Sequence, residues 1–172
     1  METTRTFAIL ASVPESHLIS GLETIAAQLN SDEISSQELP KVAFGSMGFE
    51  VLRQADELRK DRLVEVLIYA ADAKGDQPLN SEVWWRARYV GHVPSRNGRY
   101  PGKSLCRPPA AAKEKPVWAI YWEVQELQKL KKPVPIATLQ GLKQKVNLKP
   151  RFVPDTPVLI EYPFAAFLAM SR

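Results

Sequence analysis

The segment EVWWRARYV, residues 82–90, alternates apolar with charged or aromatic side chains and therefore predicts a β-strand with two unlike faces. In an extended strand the side chains at 83, 85, 87 and 89 share one face, and this set is entirely apolar or aromatic. The opposite face carries Trp84, Arg86, Arg88 and Val90. The first face belongs in a hydrophobic core, whereas the second places an indole beside two guanidinium groups.

Similar strand patterns lie on both sides of this segment. They are TFAILASV (6–13), KVAFGSM (41–47), VEVLIYAAD (64–72), VWAIYWEV (117–124) and the stretch 158–162. Helix-start signals at Ser12, Pro14 and Glu15 predict a first helix. Its apolar spacing predicts that one face packs on the sheet through Leu18, Ile19, Leu22, Ile25, Ala26 and Leu29. Further helices are expected at 49–60 and at 136–145.

These elements predict an α+β protein with a small mixed, mostly antiparallel β-sheet or barrel and flanking helices. The 172 residues fit a single domain, 1–172. An alternative partition has an N-terminal lobe at 1–60 and a basic portion at 61–172.

Cysteine usage and hydropathy narrow the class of protein. Cys106 is the sole cysteine, so an intramolecular disulfide and a cysteine-rich zinc site are excluded, and a reducing, cytoplasmic setting is expected. No run of 18 uncharged apolar residues is present, so no membrane association is expected. No cofactor motif occurs, and none is expected.

The positive charge is concentrated in one block. Residues 92–151 contain 13 Lys and Arg against 3 Asp and Glu, a net charge of +10, whereas the whole chain carries +4. Such asymmetry favours a polyanionic partner, although lysine-rich segments also serve simply to keep proteins soluble. Within this block a loop of about 25 residues carries Arg96, Arg99, Lys103 and Arg107, and residues 128–151 contain seven cations without an acid.

Two histidines are present, and His92 lies where the strand enters the basic loop. A metal-independent ribonuclease could use His92 as its general acid or base, with Lys103 or Tyr100 stabilising the charged transition state. A histidine at a strand end is more often structural.

The stretch EVWWRARYVGHVP and the later VWAIYWEVQELQKLKKPVPIATLQGL resemble the later part of PUA-like domains, in particular the EVE and YTH relatives. The phrase LKKPVPIATL at 130–139 matches their L-x-K-P-V-P-L-x-x-L pattern, and the likeness covers residues 83–142. The resemblance implies a small barrel whose groove binds RNA or a flipped base, with Trp84, Trp85 and Tyr100 nearest that role. The W-x-x-x-x-P-x-x-W opening of EVE domains is missing, so general nucleic-acid binding is expected in preference to recognition of a methylated base.

The leading hypothesis is a non-catalytic nucleic-acid-binding protein, for RNA in preference to DNA. Its expected contact residues are Trp84, Arg86, Arg88, His92, Arg96, Arg99, Tyr100, Lys103 and Arg107. The alternatives are an accessory scaffold subunit of a larger ribonucleoprotein, such as a CRISPR effector complex, and the His92 ribonuclease.

Overall fold

A computed structural model describes residues 2–31, 39–72, 81–112, 118–150 and 156–164. The chain is a mixed α+β protein built on one six-stranded sheet with the strand order β2-β5-β4-β3-β1-β6. The strands are β1 (Ala8–Pro14), β2 (Lys41–Ser46), β3 (Val64–Ala71), β4 (Glu82–Pro94), β5 (Ile120–Pro135) and β6 (Val158–Ile160). The helices are α1 (Glu15–Leu29), α2 (Phe49–Arg59) and the single turn α3 (Pro109–Ala112).

The sheet is mostly antiparallel. β1 and β3 form its one parallel pair among the named strands, because the chain between them, which contains α1, β2 and α2, crosses back over the sheet. β4 pairs with β3 and β5, and β2 and β6 lie at the two edges of an open sheet in the described part of the chain. Strands from residues 1–60 and from residues 61–172 therefore share one sheet.

Two cores lie on opposite faces of this sheet. On the face that we call the helix face, Val66, Trp85 and Trp122 pack with Leu18 of α1 and Leu52 of α2. On the second face, Leu67 and Tyr69 pack with side chains that follow β5 and with β6, namely Ile136, Leu139 and Ile160. Val83, Trp85, Ala87 and Tyr89 are all buried, which confirms the predicted strand. The prediction that they share one face is wrong at Val83, which packs in the core of the second face, whereas Trp85, Ala87 and Tyr89 pack in the core of the helix face. The partly buried Trp84 packs against the helix-face core as well, because the ladder is irregular between Val83 and Trp85.

The predicted buried face of α1 is wrong. Four of its six apolar residues are exposed, namely Ile19, Leu22, Ala26 and Leu29. The exposed fractions of Ile19, Leu22 and Leu29 are 48%, 39% and 70%. The buried residues of the helix are His17, Leu18, Ser20, Gly21, Thr24 and Gln28. Small and polar side chains point inward here because the helix packs against the loop after β4 as well as against the sheet.

The helix predicted at 136–145 is also wrong. A 3₁₀ turn occupies Ile136–Thr138, and the chain then folds into a hairpin in which Gln140 pairs with Asn147. The spacing of three between Ile136 and Leu139 comes from the 3₁₀ turn, which has three residues per turn. The strand predicted at 117–124 is longer than expected and later, since β5 continues through Pro133 and Pro135.

Candidate nucleic-acid interface

Arg96 and Arg99 lie at the two ends of a tight turn just beyond β4. The two residues exchange backbone hydrogen bonds of 2.9 and 3.0 Å. Asn97 and Gly98 between them both have positive φ, 54° and 77°, which is typical of a type I′ turn. Cross-strand neighbours project to the same side of a hairpin, so the turn directs the side chains of Arg96 and Arg99 to one side.

Both arginines are exposed, and within the described ranges neither forms an ion pair. Like charges at directly opposite positions of a β-ladder are destabilising. We call Arg96 and Arg99 together the arginine turn. Its uncompensated charge distinguishes it from the other arginines of the expected contact surface.

The rest of the basic loop packs against the body of the protein. Arg107 donates a hydrogen bond of 3.0 Å to the backbone carbonyl of Ala43, at the free edge of β2, and its guanidinium lies 5.0 Å from the ring centre of Tyr121. Arg107 therefore caps a sheet edge. Lys103 is exposed just before the 3₁₀ turn Ser104–Cys106, whereas Lys113 and Lys115 lie outside the described residues.

Tyr100 is engaged by a buried carboxylate on the second face. Its hydroxyl donates a hydrogen bond of 2.5 Å to Glu123 Oε2, which also lies 3.4 Å from Lys41 Nζ. Burial, followed by the hydrogen bond and the charge of Glu123, raises the pKa of Tyr100. Its ring packs edge-on against Tyr121 at 5.4 Å. Tyr100 is therefore held in place by the fold.

The two arginines of β4 are neutralised by carboxylates from neighbouring strands. Arg86 Nη2 lies 2.5 Å from Glu65 Oε1, and Arg88 Nη1 lies 2.7 Å from Glu126 Oε2. The guanidinium of Arg86 also lies 5.3 Å from the ring centre of Phe164. Glu65 has an exposed fraction of 2%, and burial raises its pKa against the opposing positive charge of Arg86.

Trp84 lies at the other end of β4, where the ladder with β5 is irregular. The register jumps from Val83–Val134 to Trp85–Lys129, so β5 bulges beside the indole. Lys129 Nζ lies 5.8 Å from the centre of the partly buried Trp84 ring. Lys129, Lys131 and Lys132 are exposed and form no ion pair within the described residues. We call these three residues the lysine ridge.

His92 lies on the helix face, because it pairs across the sheet with Trp122. Its Nδ1 is 2.9 Å from Asp56 Oδ2 and 3.0 Å from the hydroxyl of Tyr89, and Asp56 also accepts a 2.8 Å hydrogen bond from Arg59 Nε. Tyr100 lies on the second face, so the structure does not bring these two candidate ribonuclease groups together.

The nine expected contact residues therefore do not form one continuous surface. Arg96 lies twelve positions after Trp84, which corresponds to as much as about 40 Å of extended chain at roughly 3.3 Å per residue. Between them lie ion-paired arginines, and beside Arg88 is a cleft of about 470 Å³ lined by both signs of charge. The arginine turn and the lysine ridge lie near the two ends of β4.

One feature of the sequence indicated that an arginine of β4 would be ion-paired. Glu65 stands inside VEVLIYAA, a strand that is buried along its whole length, and a buried carboxylate requires a partner. Nothing in the sequence showed that the partner is Arg86, because the pair forms only when β3 and β4 adopt their register.

The fold and the site define a small α+β protein with an open, mostly antiparallel sheet and two separate cationic areas. No family model, no curated protein and no solved structure matches the chain. Among the described residues, no helix is both long and apolar enough to cross a membrane.

Proposed function

We propose that this protein binds single-stranded nucleic acid, RNA in preference to DNA, without catalysing a reaction on it. The observation that carries the proposal is the arginine turn, two adjacent exposed guanidinium groups with no carboxylate partner in the described part of the chain. Guanidinium groups bind phosphate oxygens in a bidentate manner, and a rigid turn presents them at a small entropic cost.

The lysine ridge supports the proposal from the other end of β4. Phosphate is the anion that exposed lysine and arginine clusters most commonly contact in nucleic-acid-binding proteins. Trp84 beside Lys129 adds an aromatic surface on which a base can stack beside a cation. A strand of nucleic acid that contacts both areas would follow the β4–β5 ladder.

The resemblance to PUA-like domains agrees with this proposal and extends it. If the protein is PUA-like, its sheet curves toward a barrel and a flipped base binds near Trp84. Tyr100, whose hydroxyl is bonded to Glu123, would then serve to hold the loop and not to contact the base. Binding to RNA in the cytoplasm is the corresponding cellular role.

The proposal is tested by fluorescence polarisation with a labelled 20-nucleotide single-stranded RNA over a series of salt concentrations. The double variant Arg96→Ala/Arg99→Ala should bind about tenfold or more weakly, and the log–log salt slope should fall in magnitude by about 1.4, or about 0.7 for each phosphate contact. Its unfolding free energy should stay within about 0.5 kcal/mol of wild type, because both side chains are exposed.

Arg53→Ala is the matched control. Arg53 is an exposed arginine on α2 whose charge is compensated by Glu50 at 2.9 Å and Glu57 at 3.2 Å. The control should retain wild-type affinity. Wild-type protein that does not bind the RNA, or binds it independently of salt, would refute the proposal, and so would an equal loss in the control.

A second candidate is an accessory subunit of a larger ribonucleoprotein, such as a CRISPR effector complex. The exposed apolar side chains of Ile19, Leu22 and Leu29 on α1 favour this candidate, because isolated small domains seldom direct the apolar side of a helix to solvent. RNA binding and a protein contact are compatible in such a subunit.

A further inference from the structure

The orientation of α1 is fixed by its small and polar residues. A Cβ atom on Gly21 would approach Leu127 Cδ2 to 2.9 Å and Val42 Cγ1 to 3.5 Å, so the helix lies against the sheet at this position. Ser20 Oγ accepts a 3.2 Å hydrogen bond from the backbone of Ala110. Rotation of the helix about its axis would break both contacts.

Gln28 fixes the other end of the same face. Its amide donates hydrogen bonds of 2.6 and 3.0 Å to the backbone carbonyls of Lys41 and Leu105, and its Oε1 accepts a 3.0 Å hydrogen bond from the Lys41 backbone. The side chain therefore pairs with the edge of β2 as another strand would. With this face bound inward, the apolar face of α1 must point outward.

The outward face has a regular pattern. Ile19, Leu22, Ala26 and Leu29 are all exposed, and they are separated by three, four and three residues. This is the spacing of a and d positions in a heptad repeat, which forms the seam of a helix pair. The wider stripe of a helix that packs on a globular core is not present on this side.

The charges on α1 indicate what kind of helix fits. Glu15 and Glu23 are both exposed on this helix, which contains no lysine or arginine. A second copy of α1 would bring acidic residues together without any basic partner. A helix whose flanking positions carry lysine or arginine would pair favourably with them.

We propose that α1 is the docking site for an amphipathic helix of a partner protein, with apolar a and d residues and basic flanking residues. The seam formed by Ile19, Leu22, Ala26 and Leu29 packs against the apolar residues of that helix. Glu23, at the flanking position after Leu22, faces its cations, and Glu15 adds negative charge one turn before Ile19. This inference is independent of nucleic-acid binding, since the arginine turn and the lysine ridge contribute nothing to this surface.

The test uses a designed 21-residue peptide with Ile at a, Leu at d and Lys at e and g, labelled for fluorescence polarisation. We expect saturable binding to the full chain. A matched peptide with Glu at e and g should bind at least about tenfold more weakly, because its flanking charges repel Glu15 and Glu23. Sedimentation velocity of the protein alone should show a monomer.

Leu22→Glu/Leu29→Glu should abolish binding of the basic peptide while RNA affinity and the unfolding free energy remain unchanged. Leu58→Glu is the control, because Leu58 is half exposed on α2 and lies outside the seam. Equal binding of both peptides, equal loss in the control, or no binding of the basic peptide would each overturn the proposal. A dimer disrupted by the Leu22 and Leu29 changes would also overturn it, since a second copy would then occupy the seam.

Discussion

Arg86 and Arg96 lie ten positions apart in the sequence, yet of the two only Arg86 forms an ion pair within the described residues. Arg86 lies against the carboxylate of Glu65 and under the ring of Phe164, whereas Arg96 is exposed on a turn with no ion pair within the described residues. A neutralised guanidinium contributes little to the attraction of a polyanion. Because Arg86 is ion-paired, the nucleic-acid contacts are expected at the arginine turn and the lysine ridge and not along the middle of β4.

The buried carboxylate of Glu65 gives stability a particular pH dependence. Burial raises its folded-state pKa above the unfolded value of about 4.3, so the folded protein binds the proton more tightly. The stabilisation from this proton is therefore complete below about pH 4.3 and is lost as the pH rises through the folded-state pKa.

Glu65→Gln should remove this dependence, because the amide does not titrate. We expect the unfolding free energy of wild type to increase relative to the variant as the pH falls from 8 toward 4.5, by at most about 1.4 kcal/mol for each unit of pKa elevation. Urea unfolding of both proteins at several pH values measures the difference. If the difference in unfolding free energy between wild type and variant stays constant with pH, or favours the variant at low pH, the raised pKa of Glu65 is contradicted.

At the scale of elements, α1 and the loop after β4 stabilise each other. The predicted apolar face of α1 followed from helical spacing. The helix begins at Glu15, later than the helix-start signals at Ser12 and Pro14 suggested, because Ser12 belongs to β1 and pairs with Tyr69. Spacing identifies faces of a helix but does not decide which of two faces meets the sheet. The contacts of Gly21 with β5 and of Gln28 with β2 determine which face of α1 meets the sheet. Both contacts join the helix to elements that are distant in the sequence.

Gln28→Ala should destabilise the protein by about 2–4 kcal/mol. The change removes hydrogen bonds to Lys41 and Leu105 and leaves backbone groups at the edge of β2 without these partners. Chemical denaturation measures the loss. The control Gln128→Ala, an exposed glutamine on β5, should cost less than about 0.5 kcal/mol. Equal effects of the two changes would show that Gln28 does not anchor the β2 edge.

At the scale of the whole molecule, the arginine turn and the lysine ridge lie at opposite ends of β4. The sequence placed them in one block of the chain, and the antiparallel pairing of β4 with β5 then separated them. Pro94 pairs with Ile120 at one end, and Glu82 pairs with Pro135 at the other. The arginine turn and the lysine ridge therefore act on different parts of a bound strand.

Their contributions to RNA affinity should be additive. Arg96→Ala/Arg99→Ala and Lys131→Ala/Lys132→Ala are far apart and share no partner, so the binding free energy lost in the quadruple variant should equal the sum of the two losses within about 0.5 kcal/mol. Polarisation titrations with the same 20-nucleotide RNA measure all four proteins. A deviation above about 1 kcal/mol would show that the two areas form one coupled site.

The sequence by itself determined the alternation of β4, the positions of α1 and α2, and the excess of positive charge after residue 91. These properties are local, since each depends on residues a few positions apart. The tertiary structure decided which arginines are neutralised and which face of α1 is exposed. Glu65 reaches Arg86, and Gln28 reaches Lys41, only when the strands have adopted their register, because pairing between distant segments depends on the whole fold.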